Sequence, residues 1–186
     1  MSAATLLNIP NVLTLLRILL IPVLVALTYA PFEWRHWASA GVFLVAAITD
    51  WFDGYLARTL NQTSAFGRFL DPVADKLMVA AALVILVQWH PTNILMVISA
   101  IIIVSREITI SALREWMAEI GKRASVAVSY VGKLKTTMQM TAITVLLMNE
   151  PLLDRIGFPL LIVAAGLTIW SMLVYLKAAW PDLMES

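Results

Sequence analysis

Long apolar runs separated by short polar breaks dominate the chain. A helix that crosses a bilayer needs about 20 mostly apolar residues. Six stretches meet that requirement, at 11–29, 37–59, 69–89, 93–117, 126–148 and 158–177. The breaks carry turn-forming or polar residues: Pro31, Asn61-Gln62-Thr63, His90-Pro91, Gly121-Lys122-Arg123 and Asn149-Glu150-Pro151. Connections this short predict an all-α integral membrane bundle of six transmembrane helices, occupying 1–186 as a single domain. The first ten residues hold Leu6, Leu7 and Ile9 and no charge, which suits a short helix lying at the membrane interface. Pro10 fits the first turn of the helix that follows. The transmembrane core is then 11–177, with 178–186 as a cytoplasmic tail.

Composition supports a membrane location. Of 186 residues, 61% are hydrophobic and 13% charged, against about 25% charged in a soluble domain. There is no cysteine, which excludes disulfides, thiolate catalysis and Cys-based zinc sites. The N-terminus lacks a basic n-region, and Arg17 interrupts its apolar run, so it does not read as a cleaved signal peptide. No internal repeat is visible, and no nucleic-acid partner is expected. The net charge of +1 says little, but the placement of the charges says more. The connections around Pro31, Pro91 and Pro151 contain only Arg35 and Arg155. The opposite ends carry Arg58, Arg68, Arg114, Lys122, Arg123 and Lys177. The positive-inside rule therefore puts both termini on the cytoplasmic side. His36 and His90 fall on the other side, as solvated loop residues with no assigned chemistry.

Against this apolar background, four carboxylates stand out. Asp50 and Asp53 are three apart on the second helix, so they share a face that Gly54 and Ala57 continue. Arg58 follows two turns beyond Asp50. Asp71 and Asp75 are four apart on the third helix, again on one face. The segment between the two helices is short enough to fold them antiparallel, so that the four carboxylates converge. A charged side chain at membrane depth costs a few kcal/mol and is rare there without a role. Four carboxylates together call for cations. Oxygen ligands at this density suit hard divalent ions such as Mg²⁺. A two-ion site suits displacement at phosphorus. Capping or salt bridging remains open for individual residues: Asp71 precedes Pro72, and Asp75 could pair with Lys76 or Arg58. Intramembrane carboxylates can also mark a cation or proton transporter, but that reading predicts broken spans or symmetric halves, and neither is present.

The order Asp50-x-x-Asp53-Gly54-x-x-Ala57-Arg58, eight residues, then Gly67-x-x-x-Asp71-x-x-x-Asp75 resembles the full motif of the CDP-alcohol phosphotransferases. Every fixed position and every gap matches. The resemblance implies that family's membrane fold and its reaction, in which a CDP-linked donor passes its phosphatidyl or related group to an alcohol and CMP is released. It implies that Asp50, Asp53, Asp71 and Asp75 hold two divalent ions, Mg²⁺ or Mn²⁺. Asp75 would also act as the base on the acceptor hydroxyl. Gly54, Ala57 and Gly67 would line the cytidine pocket, with Arg58 holding the nucleotide. A homodimer is implied as well.

The acceptor is suggested by a basic constellation. Arg106 and Arg114 are eight apart on the fourth helix, and Lys133 and Lys135 open the fifth. Arginine binds phosphate through paired N–H donors and lysine as a point charge. Beside a carboxylate site, these cations point to an acceptor that carries its own phosphate. For Lys122 and Arg123, attraction to anionic lipid is the simpler reading. Glu107 and Glu115 either orient the arginines or only neutralise neighbours. The segments Asn8-Ile9-Pro10-Asn11-x-Leu13-Thr14-x-x-Arg17, SREITISALREWMAE and GKLKTTMQM resemble the bacterial members of the family that use sn-glycerol 3-phosphate. That resemblance implies CDP-diacylglycerol as donor and the bacterial cytoplasmic membrane as location, with the site on its cytoplasmic face. Arg106, Arg114, Lys133 and Lys135 would contact the acceptor phosphate, and Asn8, Thr14 and Arg17 would sit near the donor. Inositol phosphate is the nearest alternative acceptor. The last span has no charge between Pro159 and Leu176 and could face lipid or a partner protomer.

Overall fold

Apolar periodicity resolves into six helices in the computed structural model, which describes residues 9–59, 65–121 and 130–184. Within those ranges the side chains at 9, 10, 51, 53–59, 65, 68, 130, 131, 133 and 182 lie outside the description. The helices are α1 (Ile9–Thr28), α2 (Arg35–Thr59), α3 (Ala65–Trp89), α4 (Ile94–Glu119), α5 (Tyr130–Leu147) and α6 (Pro151–Met184). The expected interfacial helix falls on residues of which 1–8 lie outside the described ones, and Ile9 and Pro10 already belong to α1. Among the described residues, three helices are long and apolar enough to cross a membrane by length and composition: α1 from Asn11 to Thr28, α4, and α6 from Pro151 to Pro181.

The helix ends follow local chemistry. Asn93 caps α4, its side chain accepting a hydrogen bond from the Met96 amide at 3.2 Å. Beyond α4, Gly121 takes φ +77°, a left-handed conformation that suits glycine. Asn149 does the same after α5 at φ +51°, as asparagine tolerates better than most residues. Pro151 opens α6, where its missing N–H costs nothing. Two boundaries differ from expectation. Pro72 lies inside α3 rather than at its start, so Asp71 is an interior residue and not a cap. The segment expected as a tail from 178 is helical as far as Met184. At 34 residues, α6 is about 51 Å long. It therefore outreaches the roughly 30 Å hydrocarbon core.

The helices do not pack in the order the loops suggest. α2 and α3 touch each other only slightly, and α1 packs along both. α5 lies along α6, α4 also packs on α6, and α2 and α3 reach α5. One core runs through all six helices, with Leu24, Phe43, Leu83, Met96, Ile143 and Leu161 fully buried. Alanines 40, 46, 82, 100, 142 and 165 lie in the same core and let the helix axes approach closely. A smaller cluster of Ile110, Leu113, Met117, Tyr175 and Ala179 joins α4 to α6. Hydroxyls on the helices are spent locally: those of Thr109, Ser111, Thr136 and Thr144 each donate to the carbonyl four residues back.

His36 and His90 are not freely solvated. Both are half-buried, edge-on against Trp89 at 4.5 Å and Phe158 at 5.0 Å. They sit at the helix ends opposite the aspartates.

α6 packs tightly on α5 at Gly157, where a Cβ would lie 2.7 Å from Leu146 Cγ and Cδ2. At Gly166, by contrast, a Cβ would meet nothing within 4 Å. Gly157→Ala should destabilise by about 1–3 kcal/mol through overpacking. Gly166→Ala should stabilise by up to about 1 kcal/mol through helix propensity. Unfolding midpoints of the two variants in detergent check the contrast, and equal shifts would contradict the packing described.

Candidate active site

α1 supplies the first partners of the aspartates. The Arg17 side chain is 1% exposed, and its Nη1 donates to Asp50 Oδ1 at 2.6 Å. One turn earlier, Thr14 Oγ1 donates to Asp71 Oδ1. A guanidinium this buried survives only with an anionic partner close by, so α1 is held where it can meet both α2 and α3. Asp50 is within electrostatic reach of Asp71 as well as Arg17, and Asp75 is within reach of Asp50 and Glu107. Three of the four expected carboxylates are thus brought together by α1, α2 and α3. The side chains of Asp53, Gly54, Ala57, Arg58 and Lys133, and the whole of Asn8, lie outside the described residues. Gly67 is buried in the first turn of α3.

Among the described residues, no three acidic or histidine side chains gather closely enough to hold one ion. The donor set still fits hard cations. It offers oxygen only, and of its mutually repelling carboxylates Arg17 offsets one charge.

Asp75 lines two cavities. The first, about 230 Å³, also takes in Lys76, Arg106, Glu107, Arg114, Lys135, Gln139 and Tyr175. Among the described residues, four cationic side chains face two carboxylates there, a surplus of two positive charges that suits a phosphate dianion. The second cavity, about 500 Å³, runs between α2 and α5 from Asp50 and Asp75 along Leu44, Ile48, Met140, Thr144 and Val145. Its wall is mostly apolar.

Within the basic cavity the charges are organised by two residues. Glu107 Oε1 accepts from Lys135 Nζ at 2.8 Å and from Arg106 Nη1 at 3.0 Å, so it bridges α4 to α5 and orients both cations. Tyr175 on α6 sits between the arginines, with the Arg106 and Arg114 guanidinium carbons 5.7 and 5.4 Å from its ring centre. Both distances are within cation–π range. Arg114 Nη2 also donates to the Tyr175 hydroxyl at 3.3 Å, and Arg106 Nη2 to Ser171 Oγ at 3.4 Å. Arg106 is buried while Arg114 is exposed, so the two stand at different depths of one cavity.

The structure brings Arg106, Arg114 and Lys135, grouped from the sequence, to one cavity, and adds Tyr175 and Gln139 on its wall and Ser171 beside Arg106, which sequence reasoning did not single out. A signal was available: Thr168, Ser171 and Tyr175 recur at helical spacing within an apolar span, a polar stripe that faces the bundle. All three are buried. That face of α6 turns into the bundle, and its Tyr175 lines the basic cavity.

A helical bundle that sets carboxylates beside a basic cavity is suited to a transferase acting on phosphate esters at a membrane. Residues 7–172 match the model of the family described as CDP-alcohol phosphatidyltransferase, and the chain belongs to that family. It is 53% identical over 180 residues to a Pseudomonas fluorescens protein named CDP-diacylglycerol–glycerol-3-phosphate 3-phosphatidyltransferase, covering 95% of this chain and 92% of the relative. Proteins of the same name from Salmonella choleraesuis (strain SC-B67) and Shigella flexneri are 54% and 53% identical over 179 residues, 96% of this chain and 98% of each relative.

Removing Glu107 leaves Arg106 and Lys135 without their shared anion. Glu107→Leu should therefore cost about 3–5 kcal/mol of stability. Adding Lys135→Met should recover part of that loss, because it removes one of the stranded charges. Unfolding of the single and double variants in mixed micelles measures the coupling, and strictly additive losses would rule the bridge out.

Proposed function

We propose that the protein transfers the phosphatidyl group of CDP-diacylglycerol to sn-glycerol 3-phosphate, forming phosphatidylglycerophosphate and CMP. The reaction takes place at the cytoplasmic face of the bacterial cytoplasmic membrane, with all six helices crossing it. One observation carries this reading: Asp75 is a shared wall of a polar cavity with excess positive charge and an apolar cavity open along α2 and α5. The first suits a water-soluble phosphate ester and the second a lipid-borne donor. The names of close, full-length relatives support the same pair of substrates.

Asp50, Asp53, Asp71 and Asp75 would hold two divalent ions, Mg²⁺ or Mn²⁺. When bound, these supply charge neutralisation on the donor pyrophosphate and on the oxygen that leaves with CMP. Arg17 and Thr14 hold Asp50 and Asp71 in position from α1. By the family resemblance, Gly54, Ala57, Arg58 and Gly67 would line the nucleotide site, and Asn8 would belong to the donor side. Arg106, Arg114, Lys133 and Lys135 hold the acceptor phosphate, with Glu107 and Tyr175 fixing the cations. Asp75 takes the proton of the acceptor 1-hydroxyl. That oxygen bonds to the phosphorus carrying the diacylglycerol, and the bond from this phosphorus to the bridging oxygen breaks as CMP departs. Catalysis here rests on positioning and electrostatics rather than on a covalent enzyme intermediate.

The deciding assay is CMP release from CDP-diacylglycerol, which should require glycerol 3-phosphate, stop with chelator and return with added Mg²⁺. Asp75→Asn, purified folded, should lose activity by at least about 10²–10⁴-fold, the usual worth of a general base. Release near the wild-type rate would exclude the base role. Arg114→Ala should raise KM for glycerol 3-phosphate by about 10-fold or more, the loss of a charge-assisted hydrogen bond, with little change for the lipid donor. Equal effects on both substrates would sink the phosphate-clamp assignment.

A further inference from the structure

Gln139 is the fourth residue after Lys135 on α5, one turn farther from the start of that helix, and it lines the same basic cavity. Its side chain is 3% exposed. Its Oε1 is buried and has no hydrogen-bond partner among the described residues. The same is true of Arg106 Nε on the facing helix. A buried polar atom left unmatched costs about 1–3 kcal/mol; both atoms are closed off from water, but both residues line the cavity, so a turn of the Gln139 amide brings its oxygen to a ligand held there. The two orphans are complementary: Arg106 Nε is a donor, and Gln139 Oε1 is an acceptor. A phosphate oxygen answers the first and a hydroxyl group answers the second. A single small molecule that carries both groups would satisfy the pair.

We propose that Gln139 is a specificity-determining residue that accepts a hydrogen bond from the non-reacting hydroxyl of the acceptor, so that the site selects a phosphorylated diol over a phosphorylated mono-alcohol. The inference rests on the acceptor reading above and deepens it. With the phosphate held by Lys135, Arg106 and Arg114, and the 1-hydroxyl facing Asp75, the 2-hydroxyl of glycerol 3-phosphate is the group left to be recognised. One helical turn, about 5.4 Å, separates Lys135 from Gln139, which is on the scale of a phosphate and its second carbon. Discrimination of this kind works by exclusion. An acceptor without the 2-hydroxyl still fits the cavity but strands Oε1 without a donor, and sites built around a substrate hydroxyl reject analogues that lack it for that reason.

The test compares glycerol 3-phosphate with 3-hydroxypropyl phosphate, which lacks only the 2-hydroxyl, as acceptors for CMP release from CDP-diacylglycerol in mixed micelles. The wild-type protein should prefer glycerol 3-phosphate in kcat/KM by roughly 10- to 100-fold, the equivalent of one unmatched buried hydrogen-bonding group. Gln139→Met keeps the length of the side chain and removes the acceptor oxygen. It should lose activity with glycerol 3-phosphate but not with the analogue, so the ratio falls towards one. Gln139→Glu keeps an acceptor oxygen and should keep the preference, at a lower rate because of its added negative charge. A wild-type protein that uses both acceptors equally overturns the proposal, whatever the variants do. So does a Gln139→Met protein that retains the wild-type ratio, because equal losses on both acceptors mean a packing role. If the wild-type protein releases no CMP with either acceptor but does so with another alcohol, the acceptor reading itself has failed.

Discussion

A cation buried among carboxylates organises this molecule. Arg17 lies on α1 with almost no exposed surface, and its partner Asp50 lies on α2. Thr14, one turn away, holds Asp71 on α3. In an apolar bundle neither the guanidinium nor the aspartates could be placed separately without a heavy desolvation cost. The ion pair therefore fixes how three helices meet. It also explains why α1 packs along both α2 and α3 while those two, joined by a short connection, touch each other only slightly. Electrostatics, rather than loop length, sets the packing order.

The other half of the bundle solves a different problem with the same means. Arg106, Arg114 and Lys135 would repel one another in a shared cavity. Glu107 ties two of them together from below, and the Tyr175 ring sits between the two arginines. Each cation is thereby held in one orientation while the cavity keeps its net positive character. Asp75 stands where the two halves meet and contributes to both cavities. Preorganised charge of this sort does its work without rearrangement at the moment of reaction.

Much of this was legible from sequence because it depends on local periodicity. The spacing of Asp50 with Asp53 and of Asp71 with Asp75, the eight-residue step from Arg106 to Arg114, and the positions of Pro151 and Gly121 all belong to a single helix or its end. What escaped depends on contacts between distant segments. The antiparallel pairing of α2 with α3 was read from a short loop, yet the position of α1 is decided by Arg17 finding Asp50, 33 residues away. Glu107 was left between two roles because its partner Lys135 is on another helix. Tyr175 and Ser171 were hidden by an uncharged span, although their helical spacing with Thr168 carried a readable stripe. The length of α6 was misjudged because its span was bounded by the apolar run ending at Lys177, whereas the helix continues through Pro181 to Met184.

Among the described residues, the walls of the basic cavity come mostly from α4, α5 and α6, with α3 contributing Asp75, Lys76 and Val79. The aspartate motif and its supports belong to α1, α2 and α3. Substitutions in the later three helices can thus reshape one pocket while the carboxylate framework stays untouched. A bundle divided in this way is modular in inheritance. A change of soluble substrate then asks for substitutions in the second half alone, while the first half keeps the carboxylates.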